Sequence, residues 1–81
     1  MYFSLIVEYN GGIDGEFDDL LEDAAGEEIC GSGCFLMKPY PRDIEFAFSN
    51  RKKRDAAATA VKKVIAKQKE AYRRKAIVTC C

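Results

Sequence analysis

Four cysteines are the side chains of this 81-residue chain best suited to metal or redox chemistry. They stand in two pairs, Cys30 with Cys34 and Cys80 with Cys81. Four thiolates are the number that a structural zinc site requires, and two pairs could also form disulfides. The spacing matches no common zinc motif, however, and adjacent cysteines are poor ligands for one metal. We therefore expect free thiols and no metal or other cofactor, with a disulfide or a zinc site as the alternatives.

Side chains suited to acid–base or nucleophilic catalysis are few. The chain has no histidine, which removes the commonest general base. Ser32, between two glycines, therefore has no histidine to activate it as a nucleophile. The carboxylates Asp18, Asp19, Glu22 and Asp23 are dense, but helical spacing puts them on the solvent side of an amphipathic segment. We expect no enzymatic activity.

Charge divides the chain into two halves, although its net charge is zero. Residues 1–49 contain eleven Asp and Glu against two cations, and residues 50–81 contain eleven Lys and Arg against two acids. By subtraction, the halves carry about −9 and +9. Such asymmetry indicates either that the halves neutralise each other in the fold or that one face meets a charged partner.

The order of apolar and polar residues predicts six elements, β-α-β-β-α-β. Alternation with a period of two predicts the first and third of four strands, and short apolar runs predict the second and fourth. These cover residues 2–9, 34–38, 43–48 and 76–81. Spacing of three and four residues predicts helices over 13–25 and from 51 to about 72. The glycine-rich run 30–34 lacks the lysine of a phosphate-binding P-loop, and we expect it to be a connecting loop.

Each predicted helix has one apolar stripe that should face the sheet. In the first helix the stripe consists of Ile13, Phe17, Leu20, Leu21 and Ala24. In the second helix it consists of Ala57, Val61, Val64, Ile65, Gln68 and Tyr72. The other positions are mostly acidic in the first helix and basic in the second, so each helix should expose one sign of charge.

This order of elements is that of the ferredoxin-like α+β two-layer sandwich. We expect one domain over residues 1–81, an antiparallel sheet in the order 4-1-3-2, and both helices on one face. The acidic helix then lies beside the basic one, where exposed ion pairs would contribute at most about 1 kcal/mol each. Many unrelated functions use this fold, so the fold alone predicts no activity.

Cations at the start of the second helix form the first candidate binding site. Asn50 is the predicted N-cap residue. The cluster that follows it consists of Arg51, Lys52, Lys53 and Arg54. Cations are disfavoured at the positive end of a helix dipole, and free amides beside them would suit a phosphate or a partner's carboxylate. Internal pairing with Glu27 and Glu28, at the end of the first helix, is the alternative.

Basic residues also flank the apolar stripe of the second helix on both sides. Only one flank can face the first helix, which leaves the other to solvent or to a partner. We assign Lys63, Lys67 and Arg74 to this free flank. Nucleic acid or phosphate could bind there, although the neighbouring acidic helix would weaken such binding.

The uncovered face of the sheet is the second candidate site. It should carry Ile6, Leu36 and Ile77 among polar residues, which suits contact with a protein partner or a second copy. RNA-recognition motifs stack bases on aromatic residues of this face. Here the aromatic residues of the third strand point to the core, and Asp43 and Glu45 point outward. Carboxylates repel phosphates, so we do not expect RNA on the sheet.

We therefore predict a small non-catalytic binding module that acts through a protein partner or through self-association as a homodimer. The alternative is binding of nucleic acid or phosphate through the basic second helix. No apolar run approaches the roughly 18 residues of a membrane span, and the N-terminus has no basic region followed by an apolar stretch. We expect a cytoplasmic protein that does not bind membranes.

Overall fold

Four antiparallel strands and three helices build the two layers of this α+β fold in the computed structural model, which describes residues 2–81 and leaves Met1 outside. The elements are β1 (Phe3–Tyr9), α1 (Gly15–Ala25), β2 (Gly31–Cys34), β3 (Arg42–Phe48), α2 (Arg51–Ala66), α3 (Ala71–Arg74) and β4 (Ile77–Cys80). The strand order β2-β3-β1-β4 is the predicted order, and every pair of neighbours is antiparallel. The predicted fold class is confirmed.

The hydrophobic core lies between the sheet and the helices. Alternation along β1 and β3 turns every second side chain towards the helices, as the pattern predicts. The largest fully buried side chains are Phe17, Phe46, Leu5, Leu21, Ile44, Val7 and Val61. Full burial of one such side chain contributes about 1.5–3 kcal/mol, so β1, β3 and the two long helices hold the fold together.

Helix α1 differs from its prediction in where it begins and in which face it buries. Asp14 is the N-cap residue, and its Oδ1 accepts a hydrogen bond from the Phe17 N–H at 3.1 Å. Ile13 therefore precedes the helix and is 69 % exposed. Leu20 is 38 % exposed, whereas Asp18, which we expected in solvent, is only 6 % exposed. The buried face of α1 is therefore rotated from Leu20 towards Asp18, because Arg42 of β3 pairs with the Asp18 carboxylate.

Strand β2 lies earlier than predicted, because the run Gly31–Cys34 is a strand and not a loop. It pairs with β3, with Gly31 opposite Glu45 and Cys34 opposite Arg42. Glycine suits Gly33 here, since a Cβ atom at this position would come within 2.8 Å of Oδ1 of Asp43. The apolar residues predicted as this strand lie instead in the connection to β3.

The predicted long second helix is broken after Ala66. Its last turn tightens as the N–H groups of Lys67 and Gln68 donate to the carbonyls of Val64 and Ile65. The chain then resumes as α3, and Tyr72 is 38 % exposed instead of continuing the apolar stripe. Even α2, the longest helix within residues 2–81, is neither long nor apolar enough to cross a membrane.

Candidate binding surfaces

The N-terminus of α2 is capped from within the chain. Oδ1 of Asn50 accepts hydrogen bonds from the N–H groups of Lys52 at 2.7 Å and Lys53 at 3.3 Å, so Asn50 is the N-cap residue, as predicted. The amides that we expected to be free for an anion therefore already have a partner. An anion at this helix end would have to displace the Asn50 side chain or bind to the side chains of Arg51 and the lysines alone.

Arg54 is not part of an exposed cluster. It is 8 % exposed, and its Nε donates to Oδ1 of Asp55 at 2.8 Å. Its Nη1 donates to the main-chain oxygen of Cys81 at 2.8 Å and to that of Ser4 at 3.4 Å. Arg54 thus joins the start of α2 to β1 and to the end of β4, and the expected four-cation site is wrong at this position.

The other cations of the predicted cluster are exposed but do not act together. The guanidinium of Arg51 lies 5.5 Å from the centre of the Phe3 ring, a distance suited to a cation–π contact. Lys52 and Lys53 are exposed. Lys53 and Glu27 line one cleft between the two long helices, yet none of the ion pairs within residues 2–81 joins them.

The exposed lysines of α2 have no acidic partner in the part of the chain that the structure describes. None of the ion pairs there joins α1 to α2, so the expected neutralisation along their seam does not occur. The predicted free flank of Lys63, Lys67 and Arg74 is exposed, although Lys67 directly follows α2 and Arg74 lies on α3. Most of the charge on the helix layer therefore faces solvent.

A buried ion pair joins β1, α1 and β3. The Tyr9 hydroxyl donates to Oδ1 of Asp18 at 2.6 Å, and Arg42 donates to Oδ2 through Nη2 at 2.8 Å and Nε at 3.2 Å. Burial, with the hydrogen bond to Asp18, raises the pKa of Tyr9 to about 12. Burial lowers the pKa of Arg42, but the bond to Asp18 outweighs that effect and raises it overall.

A second network joins α3 to the beginning of α1. Arg73 donates to both carboxylate oxygens of Asp14, through Nε at 2.9 Å and Nη2 at 3.2 Å, and the Tyr72 hydroxyl donates to the same carboxylate at 2.6 Å. Burial opposes ionisation of Asp14, but the hydrogen bonds from Tyr72, Phe17 and Arg73 prevail and lower its pKa. The Asp14 N–H donates to the Tyr9 hydroxyl at 3.1 Å, so the two networks are continuous.

Both networks serve the fold. Within residues 2–81, every buried side-chain nitrogen and oxygen has a hydrogen-bond partner. Sequence reasoning missed Asp18, Arg42 and Arg73 because each is buried by a residue far along the chain. The only signal was the position of Asp18 next to Phe17, at the edge of the apolar stripe.

On the uncovered face of the sheet, two carboxylates stand directly opposite each other. Glu8 of β1 is in register with Asp43 of β3, and both side chains are exposed. Like charges in this arrangement destabilise a sheet. Neither carboxylate takes part in any of the ion pairs formed within residues 2–81. Within residues 2–81, the two carboxylates therefore add no ion pair to the fold.

Two shallow cavities meet at this carboxylate pair. One, of about 300 Å³, is lined by Ile6, Glu8, Phe35, Pro41, Arg42 and Asp43. The other, of about 360 Å³, is lined by residues that include Glu8, Pro41, Tyr72, Lys75 and Ile77. Glu8 and Pro41 line both cavities, so the two cavities are neighbours. Two of the three predicted contact residues, Ile6 and Ile77, lie on this surface.

The third, Leu36, lies in the connection between β2 and β3 and not on the sheet. Phe35, Leu36 and Met37 are 71, 88 and 76 % exposed, and we call these three residues the apolar loop. The connection is held in place where Gly11 and Gly12 donate hydrogen bonds to the carbonyls of residues 39 and 40, both at 2.9 Å. The apolar loop and the two cavities together form what we call the sheet-end surface.

The four cysteines are free in the structure. Cys30 and Cys34 border the β2 edge of the sheet, whereas Cys80 ends β4 at the other edge. The edges are three strand spacings apart, or about 14 Å, which exceeds the roughly 7 Å limit between the Cα atoms of a disulfide. No group of three or more metal-binding side chains lies together among residues 2–81.

Comparison of the chain with protein-family models, with curated proteins and with solved structures gives no match. Function must therefore be inferred from the surfaces themselves. Two of them face solvent with chemistry that the fold does not use. They are the sheet-end surface and the charged outer side of the helix layer.

Proposed function

We propose that this chain is a small, non-catalytic protein-binding module that contacts its partner through the sheet-end surface. The observation that carries the proposal is the unneutralised pair Glu8 and Asp43, set between apolar cavities and beside the apolar loop. A repulsive pair kept at the centre of an apolar surface costs stability. Features that cost stability without a gain in the fold are typical of functional sites.

The apolar loop supplies a reason for a macromolecular partner. Single exposed apolar side chains are ordinary, but three consecutive large ones beside apolar cavities form a patch of the kind found at interfaces. Burial of apolar area contributes about 25 cal/mol per Å². Leu36, at 88 % exposed, has nearly all of its side chain available for such burial.

The two carboxylates define the chemistry of the partner. A guanidinium or an ammonium group placed between Glu8 and Asp43 would relieve their repulsion and gain charge-assisted hydrogen bonds. Apolar side chains beside that cation would enter the cavities next to Ile6 and Ile77. The favoured partner is therefore a protein segment in which an Arg or Lys stands between apolar residues.

The setting that we propose is the cytoplasm, where thiols stay reduced, and the four free cysteines support this choice. Neither a cofactor nor a metal is part of the proposed activity. The ionisable groups that are strongly buried, Asp18, Arg42, Arg54 and Arg73, are occupied by partners within the fold. Recognition is therefore assigned to the surface alone.

Affinity capture from the native host, followed by binding of the purified partner, tests this proposal. Leu36→Ser with Met37→Ser should abolish capture, and Glu8→Gln with Asp43→Asn should weaken it at least about tenfold, since charge-assisted bonds contribute about 1.5–3 kcal/mol. Tyr2→Ser, which changes another exposed apolar residue, and Glu27→Gln with Glu28→Gln, which changes two exposed carboxylates outside both proposed surfaces, are the matched controls. Equal binding by all variants would refute the proposal.

Nucleic acid is the second candidate partner, because the exposed lysines of α2 lack acidic partners within residues 2–81. Binding would use Lys52, Lys53, Lys63 and Lys67, with no contribution from the buried Arg54. Fluorescence anisotropy with single- and double-stranded oligonucleotides at low salt tests this alternative. Binding that weakens steeply with salt and is lost in Lys63→Glu with Lys67→Glu would support it, and no binding at low salt would reject it.

A further inference from the structure

The outer side of α1, away from the sheet, is acidic. Its exposed residues Glu16, Asp19 and Asp23 follow one another at spacings of three and four, which places them on one face of the helix. That face is opposite Phe17 and Leu21, which are fully buried. Neither Asp19 nor Asp23 takes part in an ion pair within the described residues, and Glu16 has a contact of 3.5 Å with Arg73.

The outer side of α2 carries two lysines with small residues between them. Lys52 and Lys63 are eleven residues apart, close to three turns, so both point away from the buried Val61. Between them lie Ala56 and Thr59, small exposed residues that would let another helix approach closely. No ion pair formed within residues 2–81 includes Lys52 or Lys63.

The two helices run in opposite directions. The end of α1 meets the beginning of α2, since Gly26 and Glu27 share a cleft with Lys53 and Ala56. One two-fold axis, parallel to both helices and midway between them, would therefore lay the acidic α1 of one copy on the basic α2 of its partner, antiparallel, and repeat the contact by symmetry. The alternative axis, perpendicular to the helices, would set α1 against α1 and repel.

We propose that the helix layer is a self-complementary interface through which two copies of this chain form a two-fold dimer, acidic α1 against basic α2. The occupant is a second copy because the same layer carries both signs of charge side by side and leaves them unpaired. The chain has no net charge, so the two copies do not repel each other at long range. Neither α1 nor α2 contributes a residue to the sheet-end surface, so this interface does not depend on the function proposed for that surface.

The available area predicts a weak dimer. Helices of 11 and 16 residues, side by side, present a layer of about 20 Å by about 20 Å, or about 400 Å² per copy. Stable interfaces bury about 800 Å² per partner. Charge complementarity must therefore provide much of the attraction, and we expect the dissociation constant to rise at least about tenfold between about 0.01 M and about 1 M salt, where the Debye length falls from about 30 to about 3 Å.

Sedimentation equilibrium at high protein concentration and low salt tests this dimer. Lys52→Glu with Lys63→Glu should give a monomer, and Asp19→Lys with Asp23→Lys should also give a monomer, because each variant then carries one sign on both helices. An equimolar mixture of the two variants should restore the dimer. The matched control, Lys62→Glu with Lys69→Glu, changes the net charge equally but off the outer face, and should still dimerise with itself.

Each outcome decides the matter, provided that circular dichroism shows all variants folded. A native chain that stays monomeric at low salt overturns the proposal. So does a control variant that dissociates as fully as Lys52→Glu with Lys63→Glu, or a mixture of the reversed variants that does not associate. If the control variant binds Asp19→Lys with Asp23→Lys as tightly as Lys52→Glu with Lys63→Glu does, net charge and not the helix layer drives association, and the proposal fails.

Discussion

The hydroxyl of Tyr9 donates to the Asp18 carboxylate at 2.6 Å, and the two residues are 3 and 6 % exposed. Arg42 donates to the other oxygen of the same carboxylate. One buried carboxylate therefore fixes the end of β1, the first turn of α1 and the start of β3 relative to one another. Breaking such a pair leaves a buried group without a partner, which costs more than the pair itself contributes.

Replacing Tyr9 with Phe tests this relationship. The variant leaves Oδ1 of Asp18 and the Asp14 N–H without their partner, and we expect a loss of about 1–3 kcal/mol in the free energy of unfolding at neutral pH. Because the pKa of Tyr9 is raised to about 12, its stabilisation is complete below pH 10 and is lost as the pH rises through about 12. Urea unfolding from pH 7 to 12 gives the difference in the free energy of unfolding between the native chain and Tyr9→Phe, and this difference should shrink between pH 10 and 12. A difference that stays constant would contradict this role of Tyr9.

Replacing Asp14 with Asn separates charge from helix capping, since Asn is also a good N-cap residue. The bonds from Tyr72 and Arg73 lower the pKa of Asp14, so its contribution is present above the ordinary value of 3.8 and is lost as the pH falls through the folded-state value. We expect a loss of about 1–3 kcal/mol at neutral pH. The free energies of unfolding of the native chain and Asp14→Asn, plotted against pH, should converge in acid. Plots that stay parallel would exclude a role for the charge of Asp14.

The cap of α2 provides a third prediction. Asn50→Ala removes the acceptor for two N–H groups and should cost about 1 kcal/mol. Asn50→Asp keeps the cap and adds a negative charge beside Arg51, Lys52 and Lys53, where the helix dipole also favours it. It should therefore be at least as stable as the native chain by thermal unfolding, and an Asp variant no better than Ala would contradict the geometry.

Removing one carboxylate of the opposed pair should stabilise the fold while it weakens binding. Glu8→Gln relieves the repulsion from Asp43, and we expect a gain of about 0.2–1 kcal/mol by urea unfolding at low salt. Glu45→Gln is the control, because that carboxylate accepts a hydrogen bond from the Ser4 hydroxyl and should show no gain. A destabilised Glu8→Gln variant would mean that the carboxylate serves the fold.

The sheet could be predicted because β1 and β3 alternate without interruption. Leu5, Val7, Ile44 and Phe46 all face the helices, so the pattern determines both the strands and the faces that they bury. Strand β2 carries no such pattern, since two of its four residues are glycine. Its position depends on main-chain pairing with β3, and the apolar run that follows it is a poor guide.

The sequence predicts the contacts of a candidate site residue when its partners are close along the chain, and not when they are far along it. Asn50 acts on residues two and three positions away, and a capping preference is enough to identify it. Arg54 bonds to the main chain of Ser4 and Cys81, which are 50 and 27 positions away. Only the folded chain brings those oxygens close to Arg54. The sequence alone therefore predicts a cluster of four exposed cations.

The two long helices α1 and α2 contribute no residue to the sheet-end surface, so the two surfaces are separate. Occupying one does not block the other. A pair of chains joined through the helices would be bivalent, with two recognition surfaces. Bivalent attachment to a partner with repeated sites raises the overall avidity by about 10²–10⁴ without any new contact, which would let a module of this size bind firmly through a small surface.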